Sequence, residues 1–198
     1  MFLNKKFLDE IRLDNQNYQK IPKNKNNFFS LDSNIIIYYL DKGECKQMFE
    51  NGLNLCISPT VRSELREKYK PIDFEKRVLS FPDLCSSLSL YESDSKTIYR
   101  NFLKIKRDTL AIKSRSIRDE MWKKRIKSKV RRDEYFEKRN KEEWIEEQDF
   151  RILGETFTMK QKLMKKNKKI YFVTHDMSVR KYVPKTTLEI VMPQTTYN

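Results

Sequence analysis

Short apolar runs alternate with longer amphipathic segments along this chain of 198 residues. Runs of four or five residues rich in β-branched and aromatic side chains predict strands, and apolar positions repeating every three to four residues predict helices. Strands are predicted over residues 28–31, 54–57, 88–91, 170–174 and 188–192, the last of them at a sheet edge. Helices are predicted over residues 1–20, 59–69, 73–80, 96–106 and 142–164. Alternating strands and helices are typical of an α/β fold with a mainly parallel sheet.

Two segments near the first strands differ in how clearly the sequence predicts their secondary structure. The run IIIYYL, residues 35–40, could extend the first strand past Asp32 or begin a helix, and propensity does not decide between them. Ser58 and Pro59, in contrast, suit the N-cap and first position of a helix that follows the second strand. Residues 1–27 are predicted to form an amphipathic helix and a polar linker ahead of a main domain over residues 28–198.

Residues 107–141 carry a single narrow apolar stripe on an otherwise charged helical pattern. We expect this segment to project from the domain as a long helix or a helical hairpin. A projecting apolar stripe could also serve as a protein-interaction coiled coil or join copies of the chain, as could the N-terminal helix. The stripe consists of Leu103, Leu110, Ile117, Met121, Ile126 and Val130.

Positive charge is concentrated in the same region. The chain has 42 Lys and Arg against 28 Asp and Glu, a net charge of +14, and residues 104–143 hold 16 of those cations against eight acids. A local basic excess of this kind indicates a polyanionic partner, and we expect RNA, although a generally lysine-rich composition would also raise the charge. The candidate RNA-binding cations are Lys123, Lys124, Arg125, Lys127, Lys129, Arg131 and Arg132.

Three aromatic side chains lie among these cations, namely Trp122, Tyr135 and Phe136. Aromatic rings interleaved with basic residues could stack on nucleic-acid bases. A role in the core or against a protein partner explains them equally well.

Composition excludes several classes of protein. The chain is 38% hydrophobic and 35% charged, which is too apolar for a disordered protein and too charged for a membrane protein. No apolar run approaches the roughly 20 residues that span a bilayer, so we expect no membrane association and a cytoplasmic location. Three cysteines without a CxxC pair and a single histidine leave no disulfide framework and no zinc site.

Four acids occupy comparable places in the predicted order of elements. Asp32 and Asp176 follow strands, whereas Glu64 and Asp149 lie on helices next to strands. In a parallel sheet these places meet at the carboxyl edge, where open α/β folds keep their sites. Converging carboxylates repel one another unless a hard divalent cation lies between them, which predicts Mg²⁺ or Mn²⁺ and metal-assisted hydrolysis.

Each of these acids also has a simpler explanation. An Asp that follows a strand is commonly a helix N-cap, and Glu146 shares a helical face with Asp149 and could replace or assist it. Nearby Ser33, Asn34 and Thr174 would orient the carboxylates or a metal-bound water, although turns and caps also explain them.

Four short motifs in the same order resemble the PIN-domain ribonucleases. They are LDSN at Asp32, ISPTVRSELRE at Glu64, QDFRIL at Asp149 and VTHD at Asp176, and the resemblance covers residues 28–182. It implies a three-layer α/β/α domain in which IIIYYL begins a helix. It also implies that Asp32, Glu64, Asp149 and Asp176 hold Mg²⁺ or Mn²⁺ for RNA hydrolysis. The basic segment over residues 107–141 would be an insertion in this PIN-like domain.

The expected activity is therefore that of a metal-dependent endoribonuclease. Its substrate would be an RNA cut by a toxin-like enzyme or one matured by a processing enzyme, with transfer RNA among the candidates. Two alternatives remain at this stage: a non-catalytic nucleic-acid-binding module with a PIN fold, and a structure-specific DNA nuclease.

Overall fold

The computed structural model describes residues 11–13, 26–41, 54–68 and 95–193. Within these ranges the strands are β1 (Ile11–Leu13), β2 (Asn27–Leu31), β3 (Asn54–Ile57), β4 (Lys169–Val173) and β5 (Glu189–Pro193). The helices are α1 (Ser33–Asp41), α2 (Pro59–Lys68), α3 (Ser95–Lys123), α4 (Lys129–Glu142), α5 (Glu147–Met164) and α6 (Met177–Tyr182). None of the helices in these ranges is long and apolar enough to cross a membrane. The predicted helix over residues 73–80 and strand over 88–91 lie outside the described residues.

The strands form one mainly parallel sheet in the order β1-β5-β4-β2-β3. Strands β5, β4, β2 and β3 are parallel to their neighbours, with Phe29 opposite both Tyr171 and Leu55. The predicted α/β class with a mainly parallel sheet is confirmed, and a three-layer α/β/α arrangement is compatible with it. The expectation that the last strand forms a sheet edge is wrong, because β5 lies between β4 and β1.

Strand β1 corrects the prediction of a helix over residues 1–20. Ile11–Leu13 pair antiparallel with β5, where Ile11 lies opposite Pro193 and Leu13 opposite Val191. Backbone hydrogen bonds to an existing strand favour the extended conformation here over the local helical pattern, which is weak for short segments. The remainder of that predicted helix and most of the linker lie outside the described residues.

Helix α1 shows how the ambiguous segment folds. Residues 35–40 are helical, as the family resemblance implied, and Ile35 and Ile36 are fully buried. The amides of both residues donate to the carbonyl of Asp32, at 3.2 and 3.3 Å. Burial of the two isoleucines outweighs the β-propensity of their branched side chains, because packing overrides intrinsic preference.

Helix α2 begins as the sequence predicted. Its first residue is Pro59, and the Ser58 hydroxyl accepts a hydrogen bond of 3.3 Å from the Val61 amide. The cap places the buried Val61 and Leu65 against the sheet core. Ser58 thus fixes where the chain turns from β3 into the helix that carries Glu64.

Helices α3 and α4 form a helical hairpin, which was one of the two predicted arrangements. Helix α3 runs through Arg107 without interruption, so the structure marks no boundary there for an insertion. The predicted apolar stripe is only partly correct: Ile117 and Met121 are buried, but Leu103, Leu110 and Val130 are exposed. The buried face of α3 instead consists of Asn101, Phe102, Ile105, Thr109, Lys113, Ile117 and Met121.

Helix α5 begins at Glu147, five residues later than predicted, and packs closely against α3. The contact centres on Gly154, where an added Cβ would lie 3.0 Å from the backbone nitrogen, Cα and Cβ of Phe102. A glycine inside a helix lowers helical stability, but here it lets the two helix backbones approach each other. This contact fixes α5, and with it Asp149, relative to the hairpin.

Candidate active site

The site begins where two neighbouring parallel strands end. Asp32 follows β2 and Thr174 follows β4, and the Asp32 amide donates a hydrogen bond of 2.9 Å to the carbonyl of Val173. Asp32 is only 4% exposed, and Thr174 is fully buried. The parallel pairing therefore places a buried carboxylate and a buried hydroxyl side by side at the carboxyl edge of the sheet, as the sequence predicted.

Three donors hold the Asp32 carboxylate. The Ser33 amide donates to Oδ1 at 2.8 Å, while Asn34 Nδ2 and Thr174 Oγ1 donate to Oδ2 at 2.8 and 2.6 Å. Such bonds favour the ionised carboxylate and fix its orientation. Ser33, Asn34 and Thr174 thus all contact this carboxylate.

Asn34 and Thr174 also connect Asp32 to the chain that carries Asp176. Thr174 Oγ1 accepts from Asn34 Nδ2 at 3.2 Å and from the Asp176 amide at 3.0 Å. Asn34 Oδ1 accepts from the His175 amide at 3.2 Å. The turn after β4 is therefore held in one conformation by side chains from the turn after β2.

Asp176 is the N-cap of α6. Its Oδ1 accepts hydrogen bonds from the amides of Ser178 at 2.6 Å and Val179 at 3.1 Å. Asp176 therefore does cap a helix, which was the simpler explanation for this residue. Both capping bonds go to Oδ1, so capping does not prevent Asp176 from taking part in a site.

Asp149 is the third residue of α5 and is half-buried. Its Oδ2 accepts a hydrogen bond of 2.8 Å from the amide of Glu146, the N-cap residue, whose own side chain is exposed. The sequence pattern alone could not decide which of these two acids belongs to the site, and only the family resemblance preferred Asp149. In the structure, Asp149 is the more buried of the two.

The four acids, hereafter the carboxylate cluster, act on one another electrostatically. Burial raises the pKa of Asp32 from 3.8 to about 6, and Glu64 and Asp176 add to the rise against the hydrogen bonds from Thr174 and Ser33. Burial also raises the pKa of Asp149 to about 6, with further contributions from Asp32 and Asp176. Mutual repulsion of carboxylates in a partly buried site has this effect. The structure thus brings the predicted acids into one electrostatic neighbourhood.

Glu64 joins the cluster from α2 and is half-buried. Its pKa is raised by burial first, with Asp149, Glu146 and Glu67 contributing and a hydrogen bond with the Ser33 side chain opposing the rise. Ser33 therefore contacts two members of the carboxylate cluster, Asp32 through its amide and Glu64 through its hydroxyl.

The carboxylate cluster offers the type of ligand that a divalent cation needs, but its side chains are not arranged as a metal site requires. Carboxylate oxygens are the ligands that Mg²⁺ and Mn²⁺ prefer, and the cluster contains four of these groups. Among the residues that the structure describes, however, no group of three or more His, Cys, Asp and Glu side chains is arranged so that it could hold a metal ion. Binding a cation here requires carboxylate side chains to turn toward it.

The predicted RNA-binding cations lie together at the far end of the hairpin, and all are exposed. They occupy the end of α3, the turn after it and the first turn of α4. Among the three nearby aromatic residues, Tyr135 donates to Glu120 Oε2 at 3.0 Å and Phe136 is half-buried, whereas Trp122 is 84% exposed. Trp122 is therefore the aromatic side chain best placed to meet a nucleic-acid base.

Sequence reasoning missed an ion-pair network that joins the base of the hairpin to α6. Glu143 accepts from Arg139 Nη2 at 2.6 Å, from Lys181 Nζ at 2.9 Å and from the Tyr182 hydroxyl. Helix α6 is the element whose first turn Asp176 caps, so the network fixes the opposite end of the helix that carries a cluster residue. The only sequence signal is the i,i+4 spacing of Arg139 and Glu143, which is common on exposed helices.

Comparison with known protein families, with curated proteins and with solved structures finds no match to this chain.

Proposed function

We propose that this protein is a Mg²⁺- or Mn²⁺-dependent endoribonuclease with a PIN-like domain. The observation that carries the proposal is the carboxylate cluster itself. Four acids from separate elements act on one another electrostatically, and burial together with their mutual repulsion raises the pKa of Asp32 and Asp149 to about 6. Perturbed carboxylates of this kind concentrate at functional sites, because a structural role does not require like charges to converge.

The order of motifs supports the PIN-like part of the proposal. The four short motifs occur in the family's order, the chain is α/β with parallel strands, and the segment after Asp32 is helical. The proposal assigns Asp32, Glu64, Asp149 and Asp176 as the residues that would hold the cation. When bound, a divalent cation lowers the pKa of a water molecule and stabilises the charge that develops on the scissile phosphate.

The remaining residues of the site have positioning roles in this proposal. Thr174 and Asn34 hold Asp32 and the Asp176 turn in a fixed relation through the hydrogen bonds described above. A fixed pair of carboxylates leaves less reorganisation for substrate binding, since orientation is established before the substrate arrives. Glu146, exposed at the start of α5, supports Asp149 through its backbone amide.

The basic hairpin supplies the argument for RNA. Its net charge of +8 over residues 104–143 complements a phosphate backbone, and both the cations at its end and Trp122 are exposed. The substrate class is therefore RNA, cut either as a defined target or during processing, with transfer RNA among the candidates.

One observation favours a second candidate function. Because no three acids among the described residues are arranged to hold a metal ion, a nucleic-acid-binding module without catalysis is consistent with the same structure. In that case Asp176 and Asp149 would serve only to cap α6 and α5. The two candidates differ in whether Mn²⁺ binds and whether RNA is cut.

The deciding experiment measures both properties on the purified protein. Total RNA is incubated with and without Mn²⁺ and new ends are mapped, while the melting temperature is followed against Mn²⁺ concentration. The test variant is Asp176→Asn, since an asparagine can keep the α6 cap while removing the charge. The control is Asp119→Asn, which removes an exposed acid on α3. Manganese-dependent cleavage that Asp176→Asn abolishes and Asp119→Asn preserves supports the nuclease, whereas RNA binding without cleavage or Mn²⁺ stabilisation supports the non-catalytic module.

A further inference from the structure

A cavity of about 420 Å³ opens at the end of the hairpin, where α3 turns toward α4. Its apolar lining consists of Met121, Trp122 and Ile126. Met121 is buried, but the Trp122 ring is 84% exposed at the rim. The volume falls within the range of small-molecule sites, and an indole this exposed has little structural purpose, because burial is what gives an aromatic ring its stabilising effect.

Four cations complete the lining: Arg118, Arg125, Lys127 and Arg132. Within the part of the chain that the structure describes, none of them forms an ion pair with a carboxylate; Arg118 and Arg132 bond only backbone carbonyls. Arg139, farther along α4, is different, since it pairs with Glu120, Glu142 and Glu143. The charge of Arg139 is therefore neutralised, whereas that of the cations lining the cavity is left available.

The backbone at the tip supports a role for Arg125 in particular. Helix α3 ends in a turn where the Ile126 amide donates to the Met121 carbonyl at 3.1 Å and the Arg125 amide to the Trp122 carbonyl at 3.0 Å. Arg125 has a φ of 54° in this turn, a left-handed conformation that glycine adopts without cost. Arginine is less favourable than glycine in this conformation, so the turn costs some stability. In this turn Arg125 lies in the lining of the cavity.

We propose that this tip cavity binds an unpaired base of RNA, stacked on Trp122, with the adjoining phosphates held by the four cations. A nucleotide consists of a planar base and a charged phosphate. The aromatic ring at the rim of the apolar cavity can stack on the base, and the surrounding cations can hold the phosphate. Further exposed cations adjoin the lining residues in sequence, namely Lys123, Lys124, Lys129 and Arg131, as a continuous polyanion requires and a single acidic side chain does not. The inference rests on the proposed RNA substrate but not on the chemistry at the carboxylate cluster.

The position of the cavity gives the proposed contact a role in choosing the substrate. Its lining residues come from α3, the turn after it and α4, and none of them belongs to the carboxylate cluster. A base held at the tip would therefore mark a single-stranded or looped part of the RNA outside the carboxylate cluster. Substrates would be selected by an unpaired nucleotide placed outside the cleavage site.

Tryptophan fluorescence tests the contact directly, since the chain has two tryptophans, Trp122 and Trp144. A 20-nucleotide single-stranded RNA is titrated into the full-length protein with a chelator present, so that no cleavage can occur. In Trp144→Phe the RNA should quench the remaining Trp122 fluorescence, and a fully paired duplex of the same sequence should not. In Trp122→Phe the RNA should leave the Trp144 fluorescence unchanged. Equal quenching by duplex and single strand would overturn the proposal.

Two variants test the energetics without disturbing the fold. Trp122→Ala should weaken single-strand binding about 5-fold to 100-fold, the range for loss of one stacked base, with an unchanged melting temperature because the ring is exposed. Arg125→Gly should weaken binding while raising or preserving the melting temperature, because glycine suits the left-handed turn. Unchanged affinity in both variants would overturn the proposal. Displacement of RNA by polyglutamate with equal quenching of Trp122 would also overturn it, in favour of an acidic protein partner.

The outcomes separate this proposal from the proposed activity. Quenching at Trp122 in a protein that cuts no RNA with Mn²⁺ would refute the nuclease and leave the tip site standing. Cleavage without quenching would refute the tip site and leave the nuclease standing.

Discussion

Thr174 Oγ1 donates a 2.6 Å hydrogen bond to Oδ2 of Asp32, although 142 residues separate the two in sequence. The same hydroxyl accepts from the Asp176 amide at 3.0 Å. One side chain thus fixes the carboxylate that follows β2 and the backbone of the turn that follows β4. Because both strands end at the same edge of a parallel sheet, this relationship sets the geometry from which the carboxylate cluster is built.

We expect Thr174→Val to reduce cleavage strongly, although valine and threonine have nearly the same size. The change keeps the shape but removes a donor to Asp32 and an acceptor for Asn34 and Asp176. The loss of these three hydrogen bonds at a buried hydroxyl should lower the free energy of unfolding by about 1 to 3 kcal/mol. Denaturant unfolding and a cleavage assay with Mn²⁺ on the same preparation check both effects.

Thr109→Val is the matched control for that substitution. Thr109 is fully buried on α3, and its hydroxyl has no hydrogen-bond partner among the residues that the structure describes. Removing an unsatisfied hydroxyl should raise the free energy of unfolding by about 1 kcal/mol and leave cleavage unchanged. If both valine variants lost stability and activity alike, the special role of Thr174 would be refuted.

The sequence predicts the carboxyl edge of the sheet well, because its signals are local. A β-rich run that stops at an acid indicates both the strand and the place of Asp32 or Asp176, and the Ser58 cap indicates where Glu64 must lie on α2. It could not rank Asp149 over Glu146 from spacing alone. That distinction depends on which face of α5 is buried, and α3 decides this by packing at Gly154.

Non-local pairing accounts for what the sequence did not predict. Strand β1 has three residues and exists because β5 offers backbone partners 180 residues away in sequence, so no local pattern marks it. The buried row of α3 includes Lys113, which a hydrophobic pattern places in solvent. Its burial follows from carbonyl groups at the end of α4, a partner that only the folded hairpin supplies.

We expect Asp149→Asn to reduce cleavage far more than Glu146→Gln. Asp149 lies within the field of Asp32 and Asp176, whereas the Glu146 side chain is exposed. Both substitutions keep the size of the side chain, so any difference reports the lost charge. Cleavage rates at saturating Mn²⁺, compared between the two folded variants, provide the measurement. A larger loss in Glu146→Gln would mean that the cluster is shifted by one turn of α5.

The raised pKa of Asp149 predicts a pH dependence of stability. Its pKa rises from 3.8 in the unfolded chain to about 6 in the folded protein, so the folded state binds the proton more tightly. Without metal, the free energy of unfolding should therefore fall as pH rises from about 4 to 6. Asp149→Asn should flatten this fall and stabilise the protein at pH 7, on the order of 1 kcal/mol. Urea unfolding across this pH range checks the sign, and an identical pH profile in the variant would contradict it.

Lys113→Met should loosen the hairpin. Lys113 is 2% exposed, and its ammonium donates to the carbonyls of Asn140, at 2.9 Å, and Glu143 at the end of α4. Methionine fills the same space without a donor, so we expect a loss of about 1 to 3 kcal/mol and faster amide hydrogen exchange in α4. Lys123→Met, an exposed position on the same helix, should change neither quantity. Unaltered exchange in Lys113→Met would show that other contacts hold the hairpin.

The basic end of the hairpin predicts a steep dependence of RNA binding on salt. If four of the cations there contact phosphates, reversing their charge should reduce the slope of log affinity against log salt by about 3, from ~0.7 per contact on single-stranded RNA. The five reversed residues are Lys123, Lys124, Arg125, Arg131 and Arg132, all of them exposed.

The control for the salt series reverses exposed cations at the opposite edge of the sheet. Lys165 and Lys166 follow the end of α5, and Lys169 is the first residue of β4, at the end of the strand away from the carboxyl edge. Their change to Glu lowers the net charge without touching the hairpin. Binding constants measured across a salt series should therefore show nearly the wild-type slope for this control and a much smaller slope for the hairpin variant. If the slope decreased slightly and equally in both variants, RNA binding would depend on overall charge alone. If the slope were unchanged in the hairpin variant, the basic surface would face a protein or solvent.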